Sequence, residues 1–140
     1  MAGTPRYAKD QPTMLQFMEA SYNVASDVTG KVLFTLPKGA RIIPGACALM
    51  VQTAFDGTTP TVLIGTSGDT DAIAASADVA PATAGLKALV LATLNAGAFK
   101  AAQTSDIDII ATVGGGGSNT AGLVYVTIAF AYPYRFPSLQ

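Results

Sequence analysis

From Met14 the chain alternates. Met14, Met18, Ala20, Tyr22 and Val24 share one parity, and Glu19, Ser21 and Asn23 take the other. A period of two puts successive side chains on opposite faces of a strand, so this stretch predicts a half-buried strand. Asp27 to Gly30 reads as a turn, after which Val32, Phe34 and Leu36 alternate with Lys31, Leu33 and Thr35. Pro37-Lys38-Gly39 breaks that strand. The next run, Arg41 to Phe55, is long, and Pro44-Gly45 interrupts it early, as at a bulge or an edge. Beyond the interruption Cys47, Leu49, Val51 and Phe55 oppose Ala46, Ala48, Met50 and Gln52. Asp56-Gly57 signals a turn, and Thr61 to Gly65 a short strand with Val62 and Ile64 inward.

Residues 66–85 carry the weakest pattern. Asp71 to Ala77 is long enough for one or two helical turns, with Asp69 or Thr70 as N-cap. Alternation resumes over Leu86–Leu94. It returns over Asp106–Val113, with Ile107, Ile109, Ala111 and Val113 inward and Asp106 and Asp108 outward. Gly114–Asn119 reads as a flexible connection, and Gly122–Tyr132 as the last strand. Seven or eight strands, few helical turns and Gly/Pro/Asn/Asp-rich connections predict an all-β sandwich. The expected layout is an N-terminal arm over 1–12, one sandwich domain over 13–132, and an extended tail over 133–140.

Composition changes the picture in one direction. The 140 residues are 50% apolar but only 12% charged, against about 25% charged in an ordinary domain. Such a chain has little charge with which to cover its own exterior, so part of that exterior is expected to meet other protein. The net charge is −1 and the eight basic residues are scattered. That pattern gives no electrostatic footprint for nucleic acid. The longest apolar stretch, Leu123–Tyr132, is about half of a membrane-spanning helix. The N-terminus is polar and lacks the apolar run of a signal peptide, so synthesis in a cytoplasm is expected, with no membrane partner.

Catalysis is not expected. The chain has no histidine, so acid–base work at neutral pH needs a strongly shifted group, and Cys47 has no partner to activate it. Cys47 sits in an apolar run and reads as a core residue. The tetrad Gly114–Gly117 lacks the following helix and the lysine of a phosphate-binding loop. Asp69/Asp71 and Asp106/Asp108 are two carboxylate pairs, but calcium needs six to eight oxygens and no loop supplies them. No catalytic residue, metal or cofactor is assigned.

The last strand carries the sharpest candidate site. Leu123, Tyr125, Ala129 and Ala131 have one parity, and Val124, Val126, Ile128, Phe130 and Tyr132 the other. Both faces are apolar, whereas a two-layer sandwich buries only one face of each strand. Either the second face is covered by a loop or by the chain's own arm, or it docks on another subunit. The low charge favours docking. The candidate interface is Val124, Val126, Ile128 and Phe130 together with Arg6, Tyr7, Tyr134, Arg135 and Phe136 of the terminal segments. Aromatic and arginine side chains are the usual interface anchors. A homodimer is the expected closed assembly, with a trimer as runner-up.

Two stretches carry a family likeness. Leu36-Pro37-Lys38-Gly39-Ala40 opens one strand, and Phe55-Asp56-Gly57 followed by Pro60-Thr61-Val62-Leu63-Ile64-Gly65 forms a hairpin. With Ala111–Gly122 they resemble small structural proteins of tailed bacteriophages. Within that group they resemble the capsid cement (decoration) proteins, such as those of Bordetella podoviruses. The resemblance covers about residues 30–132. It implies an eight-stranded jelly roll that sits on the outer surface of an icosahedral capsid and bridges subunits of the major capsid protein. Some relatives serve instead as head fibres or virion surface proteins, so the alternative reading is a head-fibre or host-surface binding module. The family implies no active site.

Overall fold

The computed structural model describes residues 13–88, 99 and 101–133. In chain order the strands are β1 (Thr13–Asn23), β2 (Lys31–Leu36), β3 (Arg41–Ile42), β4 (Ala48–Thr53), β5 (Thr59–Gly65), β6 (Gly85–Ala88), β7 (Ile107–Gly116) and β8 (Leu123–Pro133). A single helical turn, α1 (Ser76–Val79), lies between β5 and β6. One sheet has the order β1-β8-β4-β6, and the other β2-β7-β5, with every pairing antiparallel.

β3 and β4 both pair with the same side of β8, at Phe130–Ala131 and Leu123–Thr127 respectively. They are one strand broken by a 3-10 turn at Pro44–Ala46. The second sheet has a fourth position too, reduced to a bridge between Ile64 and Ala74. Counted this way, four strands face four. The two sheets exchange strands in the pattern of a jelly roll, so the all-β sandwich expected from the alternation is the fold observed.

The core forms where the inward parities meet. Leu36, Leu49, Val51, Val62, Ile64, Ile109, Val124, Val126 and Ile128 are fully buried. Each such side chain stabilises the fold by about 1.5–3 kcal/mol through removal from water. Phe99, which no alternation signalled, also enters the core. Its carbonyl accepts from the Ile42 N–H at 2.8 Å, which fastens the segment before β7 alongside β3.

Several local expectations are corrected. A register shift between Val32 and Phe34 turns Val32 outward, although its parity matched Phe34 and Leu36; it is 48% exposed. The bulge inserts one residue, and one residue is enough to flip a side chain to the other face. The helical turn begins at Ser76 with no side-chain cap, later than Asp69 or Thr70 would place it. Thr66 and Asp69 instead close a tight turn, with Asp69 N–H donating to Thr66 Oγ1 at 3.1 Å. That turn returns Ile73 and Ala74 to Ile64. Residues 89–94 of the expected Leu86–Leu94 strand lie outside the described residues, as do the arm and tail residues 1–12 and 134–140.

Gly114–Gly116 is not a flexible connection. It extends β7 against Thr59–Thr61. At Gly115 the backbone has φ +123°, and an added Cβ would fall 2.0 Å from the Thr59 carbonyl oxygen. Glycine is there because the two strands approach too closely for a side chain.

Cys47 is buried as expected, and it also mends the ladder. The 3-10 turn swings the chain away from β8, which leaves the Ala129 N–H without a strand acceptor. Cys47 Sγ accepts from it at 3.3 Å and donates to the Ile43 carbonyl at 3.3 Å. Burial pushes the thiol pKa up, against the opposing effect of the Ala129 N–H. Cys47→Ala removes that acceptor, and a buried unsatisfied N–H costs about 1–3 kcal/mol. The expected result is a lowered melting temperature with the fold retained; an unchanged melting temperature would show that the thiol contributes nothing here.

Candidate functional site

The orientation of β8 decides which residues are available to a partner. Val124, Val126, Ile128 and Phe130 face inward and are buried in the chain's own core. As partner contacts on β8 they are corrected: their faces are already occupied by the second sheet. Arg6, Tyr7, Tyr134, Arg135 and Phe136 lie outside the described residues.

The opposite parity of β8 forms the middle of the outward sheet face. Paired residues on antiparallel strands share a face. The register therefore sets Leu15 beside Ala131, Phe17 beside Ala129 and Glu19 beside Thr127. Across the sheet, Ser21, Tyr125, Met50 and Leu86 form one row over four strands. Leu15 is 54% exposed, Phe17 59%, Met50 40% and Leu86 70%. Four of the six large hydrophobic side chains most exposed among the described residues thus lie on one face. The charged residues paired on this face, among those described, are Glu19 and Arg41. Glu19 accepts from the Thr127 hydroxyl at 3.4 Å.

Exposed hydrophobics scattered singly need no explanation, whereas four on one sheet face make that face the candidate interaction surface. The sequence pattern of β8 favoured the parity that the core occupies. Leu15 and Phe17, which share the parity of Glu19 and Ser21, were missed. The signal was present: the outward parity of β1 carries Leu15 and Phe17 side by side before it turns polar at Glu19, Ser21 and Asn23.

The carboxylates serve the scaffold. Asp106 Oδ1 accepts from the Lys38 N–H at 2.8 Å, and Asp108 Oδ1 from the Thr35 hydroxyl at 2.6 Å, which ties β7 to β2. Asp27 bridges Lys31 at 2.9 Å and accepts from the Asn23 N–H at 2.8 Å, closing the turn between β1 and β2. Among the described residues no three His, Cys, Asp or Glu gather to hold a metal.

Asp56 clasps the far end of the sandwich. It accepts from the N–H groups of Ala121 at 3.0 Å and Thr120 at 2.7 Å, and from the Thr120 hydroxyl. The Ala121 N–H, then the Thr120 hydroxyl and N–H, lower its pKa from 3.8 to about 2. Hydrogen bonds to a carboxylate favour its ionised form. A depressed folded-state pKa adds stability above the ordinary carboxylate range, and the gain is lost as pH falls. The melting temperature is therefore expected to drop between about pH 4 and pH 2, and Asp56→Ala should flatten that window while lowering stability at pH 7. An identical pH profile in the variant would remove Asp56 from the account.

No protein-family model matches the chain, and no curated protein matches it. Among solved structures, a chain of the cyanophage Pam1 capsid asymmetric unit superposes with a TM-score of 0.61 at 16% identity, covering 86% of each chain. A chain of the acid-stable capsid of Helicobacter pylori bacteriophage KHP30 gives 0.57 at 16% identity, over 86% of this chain and 89% of that one. A chain of the capsid of Ralstonia phage GP4 gives 0.56 at 17% identity, over 97% and 92%. At these identities the likeness is one of fold: this sandwich has the architecture of chains solved within three phage capsids.

Proposed function

We propose that this chain is a virion structural protein that seats on the outer surface of an icosahedral bacteriophage capsid. There it stabilises the shell by bridging subunits of the major capsid protein. The observation that carries the reading is the apolar outward face of the β1-β8-β4-β6 sheet, in a chain too poor in charge to leave that face to water. The fold likeness to chains of three phage capsids supports it.

The mechanism is additive burial. Genome packaging stresses a shell outward, and each seated chain adds apolar contact that must be broken before capsid subunits separate. A standard interface buries about 1,600 Å² in total. Symmetry repeats that contact over the shell, and repeated linkage turns weak clamps into a large combined effect. No step needs an enzyme, a metal or a cofactor.

The test uses purified heads that lack the protein. Wild-type protein added back should co-sediment with them. Met50→Lys combined with Leu86→Lys, two exposed positions remote from the core, should keep the melting temperature and lose about tenfold or more in affinity, since each 1.4 kcal/mol is tenfold. Undiminished binding by the folded double variant would rule out this face as the seat.

A further inference from the structure

The corner where the β4–β5 loop meets the β7–β8 loop carries a reactive dipeptide. Asp56-Gly57 is the only place in the sequence where an aspartate or asparagine precedes glycine. Such a pair is prone to cyclise. Glycine has no Cβ to shield its amide nitrogen, so that nitrogen can reach the preceding side-chain carboxyl. The same dipeptide is the joint between the two loops.

Both reacting groups are held by the opposite loop. The Gly57 N–H donates to Asn119 Oδ1 at 2.9 Å. The Asp56 carboxylate accepts from the Thr120 N–H at 2.7 Å, the Ala121 N–H at 3.0 Å and the Thr120 hydroxyl. Thr58 donates its N–H to the Gly116 carbonyl at 2.8 Å, which fixes the backbone beyond the pair. Cyclisation asks the opposite of each group. The carboxyl must turn back toward its own main chain and carry a proton, and the Gly57 nitrogen must give its proton up. A carboxylate with three donors stays ionised and stays in place. Glycine is nonetheless required at this position. An added Cβ would fall 2.6 Å from Asn119 Oδ1, the very acceptor that holds the Gly57 N–H.

We propose that Asp56-Gly57 is a latent isomerisation site, kept as an ordinary aspartyl linkage while the β7–β8 loop is seated and converted to an isoaspartyl linkage when that loop lifts. The Gly57 nitrogen bonds to Asp56 Cγ, and the carboxyl hydroxyl leaves with the nitrogen's proton as water. A five-membered succinimide closes. Water then adds to the imide carbonyl that was the Asp56 main-chain carbonyl, and the bond from that carbon to the Gly57 nitrogen breaks. One water leaves and one enters, so the composition is unchanged and only solvent takes part. Asp56 is exposed, so that solvent is at hand. The product routes the main chain through Cβ and Cγ, one carbon longer, and leaves the free carboxylate on Cα. The bonds to Asn119 and Thr120 then have no common register in which to re-form, so an opened corner stays open. The inference concerns the chain alone and does not depend on the capsid reading.

The experiment incubates the full chain, native and unfolded in urea, in one mildly acidic buffer below the melting temperature. Isoaspartate at residue 56 is read by peptide mapping with electron-transfer fragmentation, which separates two linkages of equal mass. The native wild type should isomerise about tenfold or more slower than the unfolded chain, since reaction waits on local opening. Asn119→Ala with Thr120→Val frees the nitrogen and one carboxylate oxygen, and should isomerise about tenfold faster than the native wild type while still folded. Thr120→Val alone, the milder change, should move in the same direction and serves where the pair does not fold. Thr120→Ser keeps the hydroxyl and should match the wild type. Cys47→Ala, which lowers stability at the other end of β4, should match it too. A native wild type that isomerises as fast as the unfolded chain would overturn the proposal, as would an unfolded chain that does not isomerise. Folded variants as slow as the wild type would equally overturn it, since the named contacts would not be the guard. Equal acceleration by Cys47→Ala would assign the rate to global unfolding and overturn it as well.

Discussion

Val126→Asp is expected to abolish folding, not to release a soluble monomer, and Ile128→Asp should do the same. Both side chains are fully buried between the two sheets. Their β8 neighbours on that face, Val124 and Phe130, are buried too, and Val126 pairs across the sheet with Leu49 on β4. The buried neighbours described around these positions are apolar, and an uncompensated buried charge costs about 3–5 kcal/mol. The lost methyl groups and packing add to this, and a domain's total stability is only about 5–15 kcal/mol. Loss of a cooperative thermal transition, with the protein insoluble or unfolded by circular dichroism, is the expected readout. Met50→Lys on the opposite face should melt within a few degrees of the wild type. A soluble, folded monomer from Val126→Asp would mean that this parity of β8 faces a partner.

Gly122→Ala is expected to be strongly destabilising. Gly122 has φ +152°, in the region that disfavours a side chain, and a Cβ there would lie 2.5 Å from the Phe55 ring. Phe55 is itself buried, so the ring has nowhere to retreat. Backbone strain of about 1–3 kcal/mol and overpacking of a similar size act together. The damage falls beside the Asp56 clasp and the Val24–Gly122 hydrogen bond, where β1, β5 and β8 are fastened. A fall in melting temperature of roughly 10 °C or more is the expected result, given about 4–8 °C per kcal/mol for a small domain and less for a larger one. A shift of a degree or two would mean that Phe55 moves freely and that this corner is loosely packed.

Much of the architecture was legible because antiparallel strands with one buried face write their period into the chain. Val62 and Ile64, Ile109 and Ala111, and Leu49 and Val51 all face inward as the alternation required. The failures have physical causes. Val32 was misplaced because a bulge breaks parity without leaving a proline or glycine at the site. Gly114–Gly116 looked like a linker because tolerance for flexibility and tolerance for close approach select the same residue. Phe99 entered the core from a segment with no period at all. Which face of β8 is buried was undecidable from β8 alone, since both parities are apolar. The partner strands decide it: β4 sets the buried Leu49 and Val51 beside Val126 and Val124, while β1 sets the exposed Leu15 and Phe17 beside Ala131 and Ala129. Cys47 was legible as buried, but not as the acceptor for Ala129, because that contact joins residues 82 apart in sequence.

The central claim is that this chain clamps a phage head from outside, and the rupture of heads tests it most directly. Heads assembled without the protein and heads carrying it would be heated at low ionic strength while release of packaged DNA is followed by dye fluorescence. The account predicts that heads lacking the protein keep normal geometry but release DNA at a lower temperature. Adding back wild-type protein should restore the higher value, and the folded Met50→Lys, Leu86→Lys variant should not. Heads that lack the protein yet rupture at the same temperature, and fail instead to adsorb to cells, would contradict it and assign the chain to host binding.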